Sequence, residues 1–226
     1  MKRKLLFTAI AIIGFATATM AQTQIKKDSI FKVKDFDGNL YDTIHIGKQI
    51  WLKQNLKTTH YKNGKVIPIV ADYSAWAALA RGAYCDYDNT SANSITYGRL
   101  YNWYAVNTGS LCPTGWHVPT DAEWTTLTTY LGGEAIAGDK LKKADIANWT
   151  WTTSTGANQS GFNALPGGSR YCNGSYDLVG NNGHWWSSTE INMKVAWFMG
   201  MIDNTSTAIV NGDTKQTGFS VRCLRD

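Results

Sequence analysis

The sequence predicts an α+β domain: two helices packed on a small twisted antiparallel sheet, with half of the chain in ordered loops. Three observations carry this. Short alternating segments between residues 31 and 69 are separated by Asp-Gly, Gly-Lys and Asn-Gly turns. A capped amphipathic run begins at Thr120. From Asn148 onward Gly, Asn, Ser and Thr dominate, with tryptophans and phenylalanines set between them.

The first segment reads separately from the domain. Lys2, Arg3 and Lys4 precede an apolar run from Leu5 to about Ala16, and small residues end at Ala21. This is the pattern of a secretory signal peptide over 1–21. The run is too short to span a bilayer, which takes roughly 20 apolar residues. The expectation is an exported protein, in the periplasm, at the cell surface or secreted. Residues 22–30 (QTQIKKDSI) form a loose polar leader, and 31–226 make one domain.

Within that domain, F-K-V-K-D, L-Y-D-T-I-H-I and Q-I-W-L alternate around Asp37-Gly38 and Gly47-Lys48, so a meander is predicted. Alternation places Ile44, Ile46, Ile50 and Leu52 on one kind of face. A second hairpin is expected at Tyr61 to Ile69 around Asn63-Gly64. Ser74 as N-cap and Gly82 as terminator bracket a short helix in ADYSAWAALARG. YGRLYNWYAV suits either strand or helix.

The stretch CPTGWHVPTDAEW (112–124) is dense in reactive residue types, yet it has a local explanation. Thr120 and Glu123 form a T-x-x-E capping box, with Pro119 and Asp121 marking the same boundary. Trp124, Leu127 and Leu131 follow at helical spacing until Gly132-Gly133. A second helix is expected from about Glu134 to Ala144, carrying Lys140, Lys142 and Lys143. After Asn148 no helix is predicted, and TGFSVRCLRD reads as a closing strand.

The formal net charge is +5. Three of those charges lie in the first 21 residues, which leaves +2 and no Lys/Arg stripe, so nucleic acid is not an expected partner. Ten Trp and eleven Tyr beside four Pro fit a loop-rich core and can supply carbohydrate or protein contacts. Cys85, Cys112, Cys172 and Cys223 are an even set in an exported chain. Two disulfides are expected, with three connectivities open.

Several phrases together resemble one family of exported bacterial domains, the Fibrobacter succinogenes major paralogous domain. They are IGKQIWLKQNL (46–56), YGRLYNWYAV (97–106), CPTGWHVPTDAEW (112–124), SGFNALPGGSR (160–170), HWWSSTE (184–190) and GFSVRCLRD (218–226). A weaker similarity links Val118 to Trp124, SYDLVGNNGHWW and the closing GFSVRCLRD to the formylglycine-generating sulfatase-modifying factors. Both resemblances imply a C-type-lectin-like fold with neighbouring terminal strands and a long loop region bearing the ligand surface. The implied topology pairs Cys112 with Cys223, which leaves Cys85 with Cys172.

The sulfatase-modifying resemblance also implies a cysteine-dependent oxidase as an alternative. That family's reactive cysteines lie a few positions apart, and neither Cys172 nor Cys223 has such a neighbour here. His45, His60, His117 and His184 are scattered, and Glu123, Glu134 and Glu190 are the only glutamates. No H-E-x-x-H, G-x-S-x-G or phosphate loop is present. No enzyme activity and no cofactor are therefore expected. Calcium is the one candidate ion, through oxygens of Asp177 and Asn181, set against a plain Asx turn.

Binding is the leading expectation, with an extracellular glycan or protein as partner. The loop half supplies the candidates, in segments 148–160, 169–183 and 190–213: Tyr171, Tyr176, Asn181, Asn192, Asp203 and Asn204. Trp103, Trp185 and Trp186 are assigned to the core. A structural envelope module without a discrete ligand is the remaining alternative.

Overall fold

A computed structural model of the chain describes residues 31–143, 149 and 158–226. The signal peptide, the leader, Ala144, Trp151 and most of segment 148–160 lie outside the described residues. The elements run β1 (Lys32–Lys34), β2 (Leu40–Ile46), β3 (Gln49–Leu52), α1 (Tyr73–Ala77), β4 (Tyr84–Cys85), α2 (Ser91–Tyr97), β5 (Leu100–Asn102), α3 (Trp103–Val106) and β6 (Trp116–His117). They continue with α4 (Asp121–Tyr130), α5 (Glu134–Leu141), β7 (Gly167–Arg170), β8 (Tyr176–Val179), β9 (Asn182–Glu190), β10 (Val195–Ile202), β11 (Ala208–Thr214), β12 (Gly218–Phe219) and β13 (Leu224–Arg225).

The fold is α+β and mostly sheet. One sheet has the order β1-β2-β3-β13-β6; the other has the order β11-β10-β9-β7-β12-β5-β4, with β8 on β7. The closing segment is not one strand. Its first part pairs with Asn102 and Tyr101 in the second sheet, and its end pairs with Trp51, His117 and Trp116 in the first. Residues 218–225 thereby tie the two sheets together, which is why Phe219 to Leu224 are buried without the alternation of a one-faced strand.

Neighbouring side chains on β9 divide the interior. Trp185 joins Trp51, Trp124, Leu127, Trp149 and Phe162 in one core, while Trp186 joins Tyr41, Leu52, Tyr101, Trp103 and Phe219 in another. Successive strand residues point to opposite faces, so a Trp-Trp pair serves both cores. Trp103, Trp185 and Trp186 are core residues, as expected.

The hairpin of β2 and β3 is two-sided rather than one-sided. Ile44 stands opposite Trp51, and Ile46 lies with Trp51 in the Trp185 core, whereas Ile50 and Leu52 pack in the Trp186 core. The predicted single apolar face is therefore corrected, since both faces are covered. Gly38 and Gly47 do turn with φ of +86° and +62°. The 61–69 turn also forms, with the Tyr61 amide donating to the Lys65 carbonyl and Gly64 N–H returning to Tyr61 O.

Among the described residues there are five short α-helices, where the sequence predicts two packed on the sheet and a short one within ADYSAWAALARG. Those before α4 span one or two turns; α1 and α3 carry side-chain N-caps, while α2 has none. Asp72, not Ser74, caps α1 by accepting from the Ala75 amide, and the helix stops at Ala77, well before Gly82. Asn102 ends β5 and caps α3, so YGRLYNWYAV is strand and then helix. The capping box of α4 forms in both directions, and α5 closes at Leu141. The largest correction concerns 176–214. Residues 182–214 form an antiparallel ribbon of three strands, β9, β10 and β11, that buries Gly183, Trp185, Met199 and Met201, while β8 pairs with β7.

His184 on β9 makes this ribbon acid-sensitive. It stands edge-on to Phe198 at 5.3 Å and against Phe219 at 4.9 Å. Its Nδ1 is buried with no hydrogen-bond partner among the described residues. Burial pulls the imidazole from 6.5 down to about 4. The unfolded chain therefore takes a proton near pH 6.5 that the native ring refuses until near pH 4. This contribution to stability is complete above pH 6.5 and falls as pH drops through that window, by up to about 3 kcal/mol. Urea melts at pH 7.5 and 4.5 should show His184→Phe losing less stability on acidification than the unaltered protein. An equal loss in both would remove His184 as the cause.

Candidate functional site

The sequence-predicted residues fall in three places. Tyr171, Tyr176 and Asp177 come together on the hairpin of β7 and β8, whose register sets Arg170 against Tyr176 and Ser169 against Asp177. Asn181 and Asp203 also meet: Asn181 Nδ2 donates to Asp203 Oδ2 at 3.0 Å, and Asp203 N–H donates to Asn181 O at 2.8 Å. Asn204 lies exposed beside them. Asn192 is at the far end of the ribbon, in the turn between β9 and β10, roughly 25 Å away by strand rise. Its Oδ1 accepts from the amides of Lys194 and Val195. The six residues therefore do not form a single site.

The hairpin group is the part that gathers further residues. Arg170 is fully buried. Its Nε donates to Gly174 O, Nη1 to Val70 O, and Nη2 to Ala71 O and Asp72 O. Its charge also lies over Trp76 at 4.4 Å, Tyr176 at 4.8 Å and Tyr73 at 5.6 Å. The guanidinium thus draws the start of α1 and the hairpin turn onto one centre. Gly174 permits that approach, because a Cβ there would stand 2.6 Å from Tyr73 O.

Around this centre Tyr176 meets Tyr73 edge-on at 6.1 Å and Tyr87 at 5.3 Å. Its hydroxyl donates to Asn89 Oδ1 at 2.8 Å. Asp88 and Asn89 hold left-handed backbone, φ +53° and +51°, which Asp and Asn adopt more readily than most residues. Burial raises the Tyr176 phenol far above its ordinary range, with Cys85 adding to it, and burial and Asp177 raise that of Tyr171. These rings stay protonated donors. Tyr73 is half exposed, and Tyr87, Tyr171 and Tyr176 are partly exposed. The result is an aromatic surface with amide and carboxylate groups at its margin, suited to stacking and hydrogen bonding.

Sequence reasoning missed Tyr73, Tyr87 and Asn89. The Tyr, Asn and Asp content of 84–101 was the available signal, and it reads equally well as turn composition.

The cysteines are partly as expected. Cys112 and Cys223 are bonded, with Cα atoms 6.0 Å apart. The second expected bridge is absent, and Cys85 and Cys172 are both free. Cys85 on β4 packs inward with Trp76, Leu79 and Leu100, while Cys172 projects to solvent from the tight turn that Gly174 N–H closes onto Tyr171 O. Burial pushes the Cys85 thiol up to about 11, against the opposing pull of Arg170. That is opposite to what a nucleophilic thiol requires.

The calcium candidates Asp177 and Asn181 each have hydrogen-bond partners within the chain. Asp177 Oδ1 accepts from the Leu178 amide, and Asn181 donates to Asp203. Among the described residues no group of three or more His, Cys, Asp or Glu is arranged to hold a metal ion. Beside Asp203 a cationic position is filled from within. The buried Lys142 ammonium donates to the carbonyls of Ile202, Asp203 and Thr205, and Asp139 Oδ1 lies 3.6 Å away.

Concave surface lies elsewhere. A cleft of about 520 Å³ opens between the turn after β1 and α2, lined by Asp37, Lys57, Thr59, Ser94 and Arg99. Asp37 there already accepts from Thr58 Oγ1, Thr59 Oγ1 and the Thr59 amide. Arg99 Nε donates to Asp86. At the start of α4, His117 stands between two carboxylates: Nδ1 is 2.7 Å from Asp226 Oδ1, and Nε2 is 3.0 and 3.1 Å from the Glu123 oxygens. Burial raises the Glu123 carboxyl, but the Thr120 amide and hydroxyl and the His117 ring outweigh it and hold it below its ordinary value.

Among the described residues no helix is long and apolar enough to cross a membrane. Neither the curated proteins nor the solved structures provide a significant match to the chain. The profile of the Fibrobacter succinogenes major domain matches residues 44–225, a span that takes in the described elements from β3 to β13 and the disulfide. On that match the chain belongs to the Fibrobacter succinogenes major domain family.

Proposed function

We propose that this chain is an exported, non-catalytic binding module of the cell envelope or surface. The hairpin of β7 and β8 in its C-terminal half, completed by Tyr73 and Tyr87 from the N-terminal half, holds an extracellular glycan or protein on a C-type-lectin-like scaffold. The observation that carries this reading is the tyrosine surface around Arg170: Tyr73, Tyr87 and Tyr176 arrive from three separate segments and are locked by a buried guanidinium. Rigid, partly exposed tyrosines give contact area at low entropic cost, as at many recognition surfaces.

Export is supported by the leader pattern of residues 1–21 and by the Cys112–Cys223 bridge, a bond favoured in oxidising compartments. The lectin-like reading is supported by β13 lying against β3, which brings the two ends of the domain together. A binding role is favoured over thiol oxidase chemistry by the burial of Cys85, which leaves Cys172 without a reactive partner thiol.

The test is a binding screen over glycans and extracellular proteins with the mature protein and Tyr73→Ala. A saturable ligand is expected, and loss of the exposed Tyr73 ring should weaken it about tenfold, since a stacked aromatic is worth roughly 0.5–1.5 kcal/mol. Undiminished binding by the variant would move the ligand off this surface. The absence of any saturable ligand would favour a structural envelope module.

A further inference from the structure

We infer that the groove between the turn after β2 and the exposed face of α4 is a separate recognition site for an uncharged oligosaccharide. The inference is independent of the tyrosine surface around Arg170. Two cavities, of about 480 and 410 Å³, share Lys48, Gln49 and Thr126 and so form one elongated depression. Tyr130 stands at one end, and Glu123, Arg225 and Asp226 stand at the other.

The helix produces this geometry. Its capping box fixes where α4 starts, so Trp124 and Leu127 face the core while Glu123, Thr126 and Tyr130, spaced i, i+3, i+7, line the groove. Tyr130 is 64% exposed, the largest exposure of any aromatic ring among the described residues of the core-facing helices and sheets. It is nevertheless held, because it rests on the Gly47 backbone. A Cβ at position 47 would stand 2.9 Å from the ring, and φ there is +62°. A fixed, open aromatic face suits the C–H face of a sugar ring.

The far end supplies the polar half of the recognition. Glu123 and Asp226 are both oriented through His117, and Gln49 is anchored by its Nε2 to Glu123 O at 2.9 Å, which leaves its side-chain carbonyl available as an acceptor. Lys48 and Arg225 balance the two carboxylates, so the groove has no net pull on a charged chain. An extended peptide is disfavoured for a different reason. The strands lining the groove, β2, β3 and β13, are each paired on both sides, so they offer no backbone ladder to an added strand.

The test titrates the mature protein with uncharged hexasaccharides of gluco, xylo, manno and galacto configuration, followed by calorimetry. At least one is expected to bind saturably. Tyr130→Ala should weaken it at least tenfold, Tyr130→Phe should stay within about threefold, and Tyr73→Ala should have no effect. Thermal melts check that the exposed Tyr130 variants remain folded. No binding across the panel, or equal binding by Tyr130→Ala, would overturn the assignment. Tighter binding of an oligogalacturonate than of any neutral hexasaccharide would overturn the charge argument. Loss of binding in Tyr73→Ala alone would place the sugar on the other surface.

Discussion

Replacing Arg222 by methionine is expected to cost the domain about 3–5 kcal/mol, because several buried neutral acceptors lose their donor at about 1–3 kcal/mol each. Arg222 is 1% exposed and has no carboxylate in its hydrogen-bond set. Burial pulls it down to about 9, so it remains charged at neutral pH. The charge is solvated by the chain itself. Nε and Nη2 donate to Asn55 Oδ1 at 3.1 and 2.7 Å, and Nη1 donates to Leu52 O and Phe162 O at 3.1 and 2.6 Å. The guanidinium carbon also lies 4.3 Å from the Phe162 ring centre.

Asn55 extends this network, accepting from Trp185 Nε1 at 2.8 Å and donating to Tyr97 O and Ser220 Oγ. Methionine would fill the volume but leave Asn55 Oδ1 with one donor and two buried carbonyls with none from this side chain. Lysine would restore charge without the planar fork and should recover only part of the loss. Urea midpoints of Arg222→Met, Asn55→Leu and the double variant provide the check. A double variant no worse than either single one is expected, because both break one network. A loss under 1 kcal/mol in Arg222→Met would refute the account.

Reduction of Cys112–Cys223 is expected to have the other large effect. The bridge joins residues 111 apart. Closing a loop of that length constrains the unfolded chain by about 4–5 kcal/mol in the chain-entropy account. For a domain of this size that corresponds to a fall in Tm of roughly 10–15 °C. Thiol counting should accompany the melt. The native protein should label once, at Cys172; the unfolded, unreduced protein should label twice, adding Cys85. A silent native protein would mean that Cys85 and Cys172 are bonded after all.

What was legible in the sequence was local. The Thr120–Glu123 box, the Gly38 and Gly47 turns and the helical spacing of Trp124 and Leu127 need only a few neighbouring residues, and each is present. The Cys112–Cys223 pairing came through the family resemblance, since spacing alone left three connectivities. The strands of 176–214 were not legible, because their Gly, Asn and Thr positions form sheet through pairing with distant segments. The hairpin face was misread because covering both sides of a strand erases alternation. The tyrosine surface draws on positions about 100 residues apart, and the groove along α4 depends on where β13 docks. Neither kind of proximity leaves a local pattern.

The Lys142 ammonium ringed by the carbonyls of Ile202, Asp203 and Thr205 has a consequence for the segment that carries Asp203 and Asn204. Its cation is covalently part of the polypeptide, so it is present at unit stoichiometry whatever the surroundings contain. The order of that segment cannot be diluted away or stripped by a chelator. It rises and falls with the fold, not with the supply of a free ion.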